Sequence, residues 1–214
     1  MNNVITRNIE EKDMAALKSL IVEAWGDGWN LNAYDHDTEF FQSLLEVYLS
    51  IFLGPSTFGR VAVMDGKVIG AILCSAVCEP TCFRQLQSNR ALHTLALLCA
   101  TEAERMDVVE HMSVSFQAIG QLVENKLGDY YGCLEFIVVA KQAQGLKIGK
   151  KLWSEAAAYF NSVGAESIYL ISDSQCNTGF YDHNGFTKVE TGKAVYNYST
   201  GQKEFDIYLY DYKL

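Results

Sequence analysis

No apolar run in the 214 residues approaches the ~20 needed to span a bilayer. The N-terminal stretch MNNVITRNIEEKD has no apolar segment behind a basic start, so no secretory signal is expected either. Basic charge is scarce. Seventeen Lys and Arg stand against 26 Asp and Glu, a net charge of −9. That balance disfavours nucleic acid or an anionic membrane as partner and would suit a cationic amine. Internal repeats and low-complexity linkers are missing, so residues 1–214 read as a single domain with an elaboration. No Cys–His or Ser–His pair argues for a nucleophilic triad. Cys74, Cys78 and Cys82 are regularly spaced, but no His lies close behind to complete a zinc site, and no metal is expected. With Cys99, Cys133 and Cys176 they read as reduced thiols of a cytoplasmic protein.

Asn3–Arg7 (NVITR) is a short strand candidate. Glu10, Glu11 and Asp13 then place acid in the first turn of a helix, whose apolar face is Met14, Leu17, Leu20, Ile21 and Ala24. Trp25–Trp29 (WGDGW) breaks it. A second helix starts at about Thr38, with Phe41, Leu44, Leu45, Tyr48, Leu49 and Phe52 on one side. Gly59–Met64 and Lys67–Cys74 are strand runs joined by Asp65-Gly66, the strongest short hairpin signal. Two helical patterns follow at Ala91–Thr101 and Glu102–Lys126. The second carries Met106, Val109, Met112, Phe116, Ile119 and Val123 at steps of three and four, a stripe expected to be core. His93 and His111 on these helices read as packed or surface residues.

Leu134–Lys151 organises the rest. An apolar, β-branched run (Phe136, Ile137, Val138, Val139) reads as a buried strand. A turn carrying Gln144 and Gly145 leads into a helix with Ile148, Leu152, Ala156, Tyr159 and Phe160 on one face. Such a strand–glycine–helix junction aims free backbone N–H groups and the positive end of a helix dipole at one point, which suits phosphate. Downstream, Ser167–Ser172 reads as a strand and NTGFYDHNGF spans Asn177–Phe186. Phe186–Glu190, Ala194–Tyr198 and Glu204–Tyr212 read as final strands, the last alternating Phe205, Ile207 and Leu209 against Asp206, Tyr208 and Tyr210 as a half-buried strand would.

Both blocks resemble the GNAT superfamily of N-acetyltransferases. The first is similar to that family's acyl-CoA signature: Val139 is followed five positions on by Gln144, and Gly149 fills the last slot, while Lys147 replaces the middle glycine. In the second, Asn177, Gly179, Phe180, Tyr181, Gly185 and Phe186 match the family's later motif. The resemblance implies an α/β fold with a mixed, mostly antiparallel central sheet flanked by helices, here with a helical insertion at about 78–132 before the central strand. It implies acetyl-CoA as acyl donor, its pantetheine arm bonded like an added strand to Ile137, Val138 and Val139. Its pyrophosphate would lie on the amides of Gln144, Gly145, Leu146, Lys147, Ile148, Gly149 and Lys150. Asn177 would bond the pantetheine, with a helix N-cap as the structural alternative. Tyr181 would be the general acid, because a phenol with pKa near ~10 is protonated at neutral pH. Glu135 would be the base, directly or through water, with alternation placing it on the face of Ile137 and Val139. His183 is a reserve. Trp25, Trp29 and Tyr34 are candidates for acceptor contact, with packing as the other reading. The acceptor would be a primary amine of a small molecule or a protein, attacking directly. The insertion would cap the acceptor site or join two copies as a homodimer. Two alternatives stay open: a non-catalytic acyl-CoA-binding domain, which Lys147 favours, and an unrelated α/β interaction domain.

Overall fold

The computed structural model describes residues 4–87, 90–124 and 126–214; Asn3, expected in a strand, and Asn125, expected in a helix, lie outside them. Among the described residues, seven strands form one sheet in the order β1-β2-β3-β4-β5-β7-β6. They are β1 (Val4–Asn8), β2 (Phe58–Met64), β3 (Lys67–Ala76), β4 (Gly132–Val139), β5 (Ser167–Asp173), β6 (Thr187–Tyr198) and β7 (Gly201–Lys213). Every neighbouring pair is antiparallel except β4 with β5. The β2–β3 hairpin turns where expected. Asp65 and Gly66 both take positive φ, 51° and 78°, as a type I′ turn requires.

Among the described residues there are six helices, α1 (Met14–Trp25), α2 (Glu39–Leu53), α3 (Arg90–Ala96), α4 (Glu102–Val123), α5 (Ile148–Ser162) and α6 (Thr178–His183); α3 packs on α2, and the others lie against the sheet. Local chemistry sets their starts. Thr38 accepts a hydrogen bond from Phe41 N at the head of α2, and Thr101 with Glu104 forms a capping box on α4. The acid before α1 is used differently from the expectation. Residues Glu11–Asp13 form a 3-10 turn, and Asp13 is buried, held by Arg7 at 2.6 and 2.7 Å. The Arg7 guanidinium and the Glu10 N–H outweigh burial and hold its carboxyl below the usual range.

The sheet has two covered faces. On one, Tyr159 of α5 stacks on Phe58, which pairs with Cys74, and Arg60 meets Glu155. On the other, Trp25 of α1 and Phe52 of α2 pack on Phe136, and Leu122 of α4 lies over Gly192 of β6.

Two patterns depart from the sequence reading. On α4, Met106, Val109 and Phe116 are exposed, while Asp107, His111, Ala118 and Leu122 face the sheet. The polar pair is inside because it is satisfied there. Asp107 accepts hydrogen bonds from Ser199 N and Oγ, at 2.6 and 2.7 Å, and from Asn30 Nδ2 at 3.2 Å. It thereby ties the β6–β7 turn and the α1–α2 loop to α4. His111 Nδ1 shares a 2.6 Å hydrogen bond with the Tyr198 hydroxyl. On β7 the expected polar side is also covered: Tyr210 is fully buried, packed on Tyr181 of α6.

Candidate active site

Strand β4 pairs with β3 along its length but with β5 only at Gly132↔Ile168 and Cys133↔Tyr169. Beyond that point the two parallel strands separate, and a cleft of about 850 Å³ opens between Ile137–Val139 and Gln175–Tyr181. The register against β3 slips at the same place. Phe136 faces Leu73 and Leu134 faces Cys74, so Glu135 is the extra residue of a β-bulge. A bulge bends its strand and strengthens the local twist, which suits a strand leaving its neighbour.

The bulge also corrects the expected orientation of Glu135. Ile137 pairs with Ile72, and Val139 with Gly70, on the α5 side. Glu135 bonds the Ser75 hydroxyl at 2.5 Å, on the opposite side, which Leu73 and Phe136 share. Two residues in succession therefore face α1 and α2. Alternation fails because the extra residue reverses its phase. Glu135 stands two residues past the last β4–β5 pair, at the apex of the divergence. Burial pushes its carboxyl pKa up, opposed by hydrogen bonds from Ser75 and Cys133.

Beyond β4, a 3-10 turn at Lys141–Ala143 leads to Gly145 at φ 82° and Lys147 at φ 60° before α5 begins. Lys147 thus occupies a left-handed position, which explains physically why a glycine suits it. No side chain caps α5, so the N–H groups of its first turn remain available for an anion. Lys141, Lys147 and Lys150 line this end of the cleft. Gly149 matters for space. A Cβ there would sit 3.0 Å from the Phe180 ring, itself part of the cleft wall.

Asn177 is the residue before α6, but its side chain makes no cap bond and it borders the cleft. Tyr181 also lines the cleft yet is 8% exposed. Burial, reinforced by Cys176 and Asp173, raises its phenol well above the ordinary value, so it stays protonated. His183 is a surface residue bonded to the Gly179 carbonyl.

The cleft brings together Ile137, Val138, Val139, Gln144, Gly145, Lys147, Ile148, Gly149, Lys150, Asn177 and Tyr181. Leu146 is outside its lining and exposed, and Glu135, on the α1–α2 side of β4, is also outside it. Trp25 lines it, whereas Trp29 packs on Tyr48 and His111, and Tyr34 on Phe40. Sequence reading missed Glu23, Lys141, Cys176 and Phe180 as lining residues. Phe180 lies within the Asn177–Phe186 motif and Cys176 directly precedes it, so both were findable. Glu23, whose carboxylate accepts the Lys141 N–H, comes from a distant helix.

The family model described as "Acetyltransferase (GNAT) family" matches residues 14–186, most of the chain. The chain belongs to the GNAT acetyltransferase family. The reading as an unrelated α/β domain is thereby excluded. Solved structures agree in fold. A polyamine N-acetyltransferase of Drosophila melanogaster that forms N-acetylagmatine is 12% identical, covering 99% of this chain and 100% of its own, with a TM-score of 0.58. A PaiA N-acetyltransferase of Thermoplasma acidophilum in complex with coenzyme A is 16% identical over 99% of each chain, with a TM-score of 0.51. A ribosomal-protein-alanine N-acetyltransferase of Brucella melitensis is 17% identical over 98% of this chain and 99% of its own, with a TM-score of 0.53. No curated protein matches in sequence.

This GNAT protein is an acetyl-CoA-dependent N-acetyltransferase, and its residues fit that cosubstrate. The β4 edge facing β5 is unpaired beyond Cys133, as an added hydrogen-bonding arm needs. The uncapped amides and three lysines suit a pyrophosphate. When bound, acetyl-CoA supplies an activated acyl carbon and a thiol leaving group. The residues decide where the protons go.

Proposed function

We propose that this acetyltransferase transfers an acetyl group to a primary amine of a small molecule or a protein by direct attack, working as a single domain with an insertion. The bulge carries the reading. It sets Glu135 at the apex of the divergence on the α1–α2 face, while Tyr181 lines the cleft between β4 and β5. A base and an acid supported from different elements can serve the two ends of one acyl transfer. Glu135, its affinity for protons raised by burial, takes the proton from the attacking amine, directly or through water. Tyr181, held protonated, gives one to the departing sulfur. Backbone at Ile137–Val139 orients the donor, and the amides and lysines from Gln144 to Lys150 hold its phosphates. Asn177, free of any cap bond, bonds the pantetheine. Asp27 borders the cleft and favours a cationic acceptor.

No helix among the described residues is long and apolar enough to cross a membrane, and all six cysteines are free. Both suit work in the cytoplasm. The exposed residues of α3 and α4, including Leu92, Leu95, Met106 and Phe116, give a strongly acidic protein one largely uncharged face, where a second copy could dock without like-charge contact. Sedimentation showing only a monomer would remove the homodimer from this account.

Titration calorimetry with acetyl-CoA, followed by a thiol-release assay over an amine panel, tests the function. Micromolar binding with turnover on at least one amine is expected. Binding without turnover on any amine would support the non-catalytic alternative.

A further inference from the structure

Among the described residues, two buried side-chain polar atoms have no hydrogen-bond partner: Ser172 Oγ and the Tyr210 hydroxyl. Both residues neighbour Tyr181. Ser172 and Tyr210 project from the neighbouring strands β5 and β7, whose register pairs Leu170 with Tyr210 and Ser172 with Tyr208. The Tyr210 and Tyr181 rings are 5.3 Å apart. Ser172 is near enough to the Tyr181 phenol, and to the Cys176 thiol, to favour ionisation of each, yet completes no hydrogen bond with either. An unpaired buried hydroxyl is destabilising, so two at one place call for a reason.

We propose that Ser172 and Tyr210 are positioning residues for Tyr181, whose hydroxyls hydrogen-bond its oxygen once it has given up its proton. The inference rests on the acetyl-transfer reading above. As the Tyr181 O–H bond breaks, an S–H bond forms on the leaving thiol, and the electron pair stays on the phenolate oxygen. Glu135 holds the proton taken from the amine. Solvent then returns a proton to Tyr181 and accepts one from Glu135, leaving the protein unchanged. A neutral phenol is a weak acceptor, whereas a phenolate binds donors strongly. The two hydroxyls are therefore unsatisfied before transfer and satisfied as charge develops. Interactions that strengthen only towards the transition state accelerate the step.

The test uses the full chain with Tyr210→Phe, Ser172→Ala and Ser172→Thr. If the hydroxyls only fill space, removing an unpaired one leaves turnover intact and raises stability. On the present account Tyr210→Phe is at least as stable as wild type, yet its kcat falls about tenfold or more with KM unchanged. Ser172→Ala behaves alike, and Ser172→Thr recovers activity. A second readout needs no turnover. With a difluorotyrosine at position 181, whose ionisation falls in a measurable range, fluorine NMR should show ionisation at higher pH in Ser172→Ala and Tyr210→Phe. Asp173 and Cys176, which also face the phenol, stay in place in both variants. Unmoved ionisation, or wild-type kcat in Tyr210→Phe, would overturn the inference. A wild type inert towards every amine would instead overturn the acetyl-transfer reading.

Discussion

Acid should loosen α4 from the sheet, and His111 is the reason. It is 6% exposed, stacked on Tyr196 at 5.2 Å, near Trp29 and Tyr48, and bonded to Tyr198. Burial lowers its pKa from 6.5 to about 4. The unfolded chain therefore takes up this proton first. Stability contributed by neutral His111 is complete above the unfolded value and is lost as pH falls from about 6.5 to about 4. A gap of that size corresponds to roughly 3 kcal/mol, a large part of a typical domain's stability. Other groups titrate in the same window, so the comparison must be with His111→Gln, which keeps a neutral hydrogen-bonding side chain. The variant should be less stable at pH 7, having lost its aromatic contacts, by about 1 kcal/mol. Its urea midpoint should then fall less steeply than that of wild type between pH 6.5 and 4. Parallel losses in both proteins would refute the assignment.

Lys147→Gly should change stability by no more than about 1 kcal/mol, because relief of a left-handed φ is offset by a more flexible unfolded chain. The same variant should bind acetyl-CoA a few-fold more weakly, with a shallower salt dependence, since one cation at the phosphate end is gone; calorimetry at two ionic strengths decides it. Tighter binding would mean that Lys147 obstructs the site. Gly149→Val should abolish acetyl-CoA binding while circular dichroism stays native, because the added side chain drives into Phe180 at the cleft wall.

Much of this architecture is legible in the chain because local chemistry and global fold agree. Asp65-Gly66 can hardly be anything but a tight hairpin turn, and β4, its glycine turn and α5 follow one another in strand and helix periods. The bulge at Glu135 is a different matter. One extra residue is invisible to alternation, since it is defined only against β3, and it moves the candidate base to the other face. The outer face of α4 also misleads. Its Met and Phe residues carry a helical period, but Asp107 and His111 take the inside because partners from the β6–β7 turn and the α1–α2 loop await them. Those partners are 77 to 92 residues away in sequence, beyond any local pattern. Tyr210 and Ser172 were read as ordinary strand residues for the same reason: what distinguishes them is a missing bond.

The most direct test of the account is thiol release from acetyl-CoA with the best amine acceptor, measured for wild type, Glu135→Gln and Tyr181→Phe at saturating donor. Each variant should bind acetyl-CoA as wild type does and lose about a hundredfold or more in kcat, within the range expected for removing a general base or acid. Wild-type turnover in both variants would contradict it.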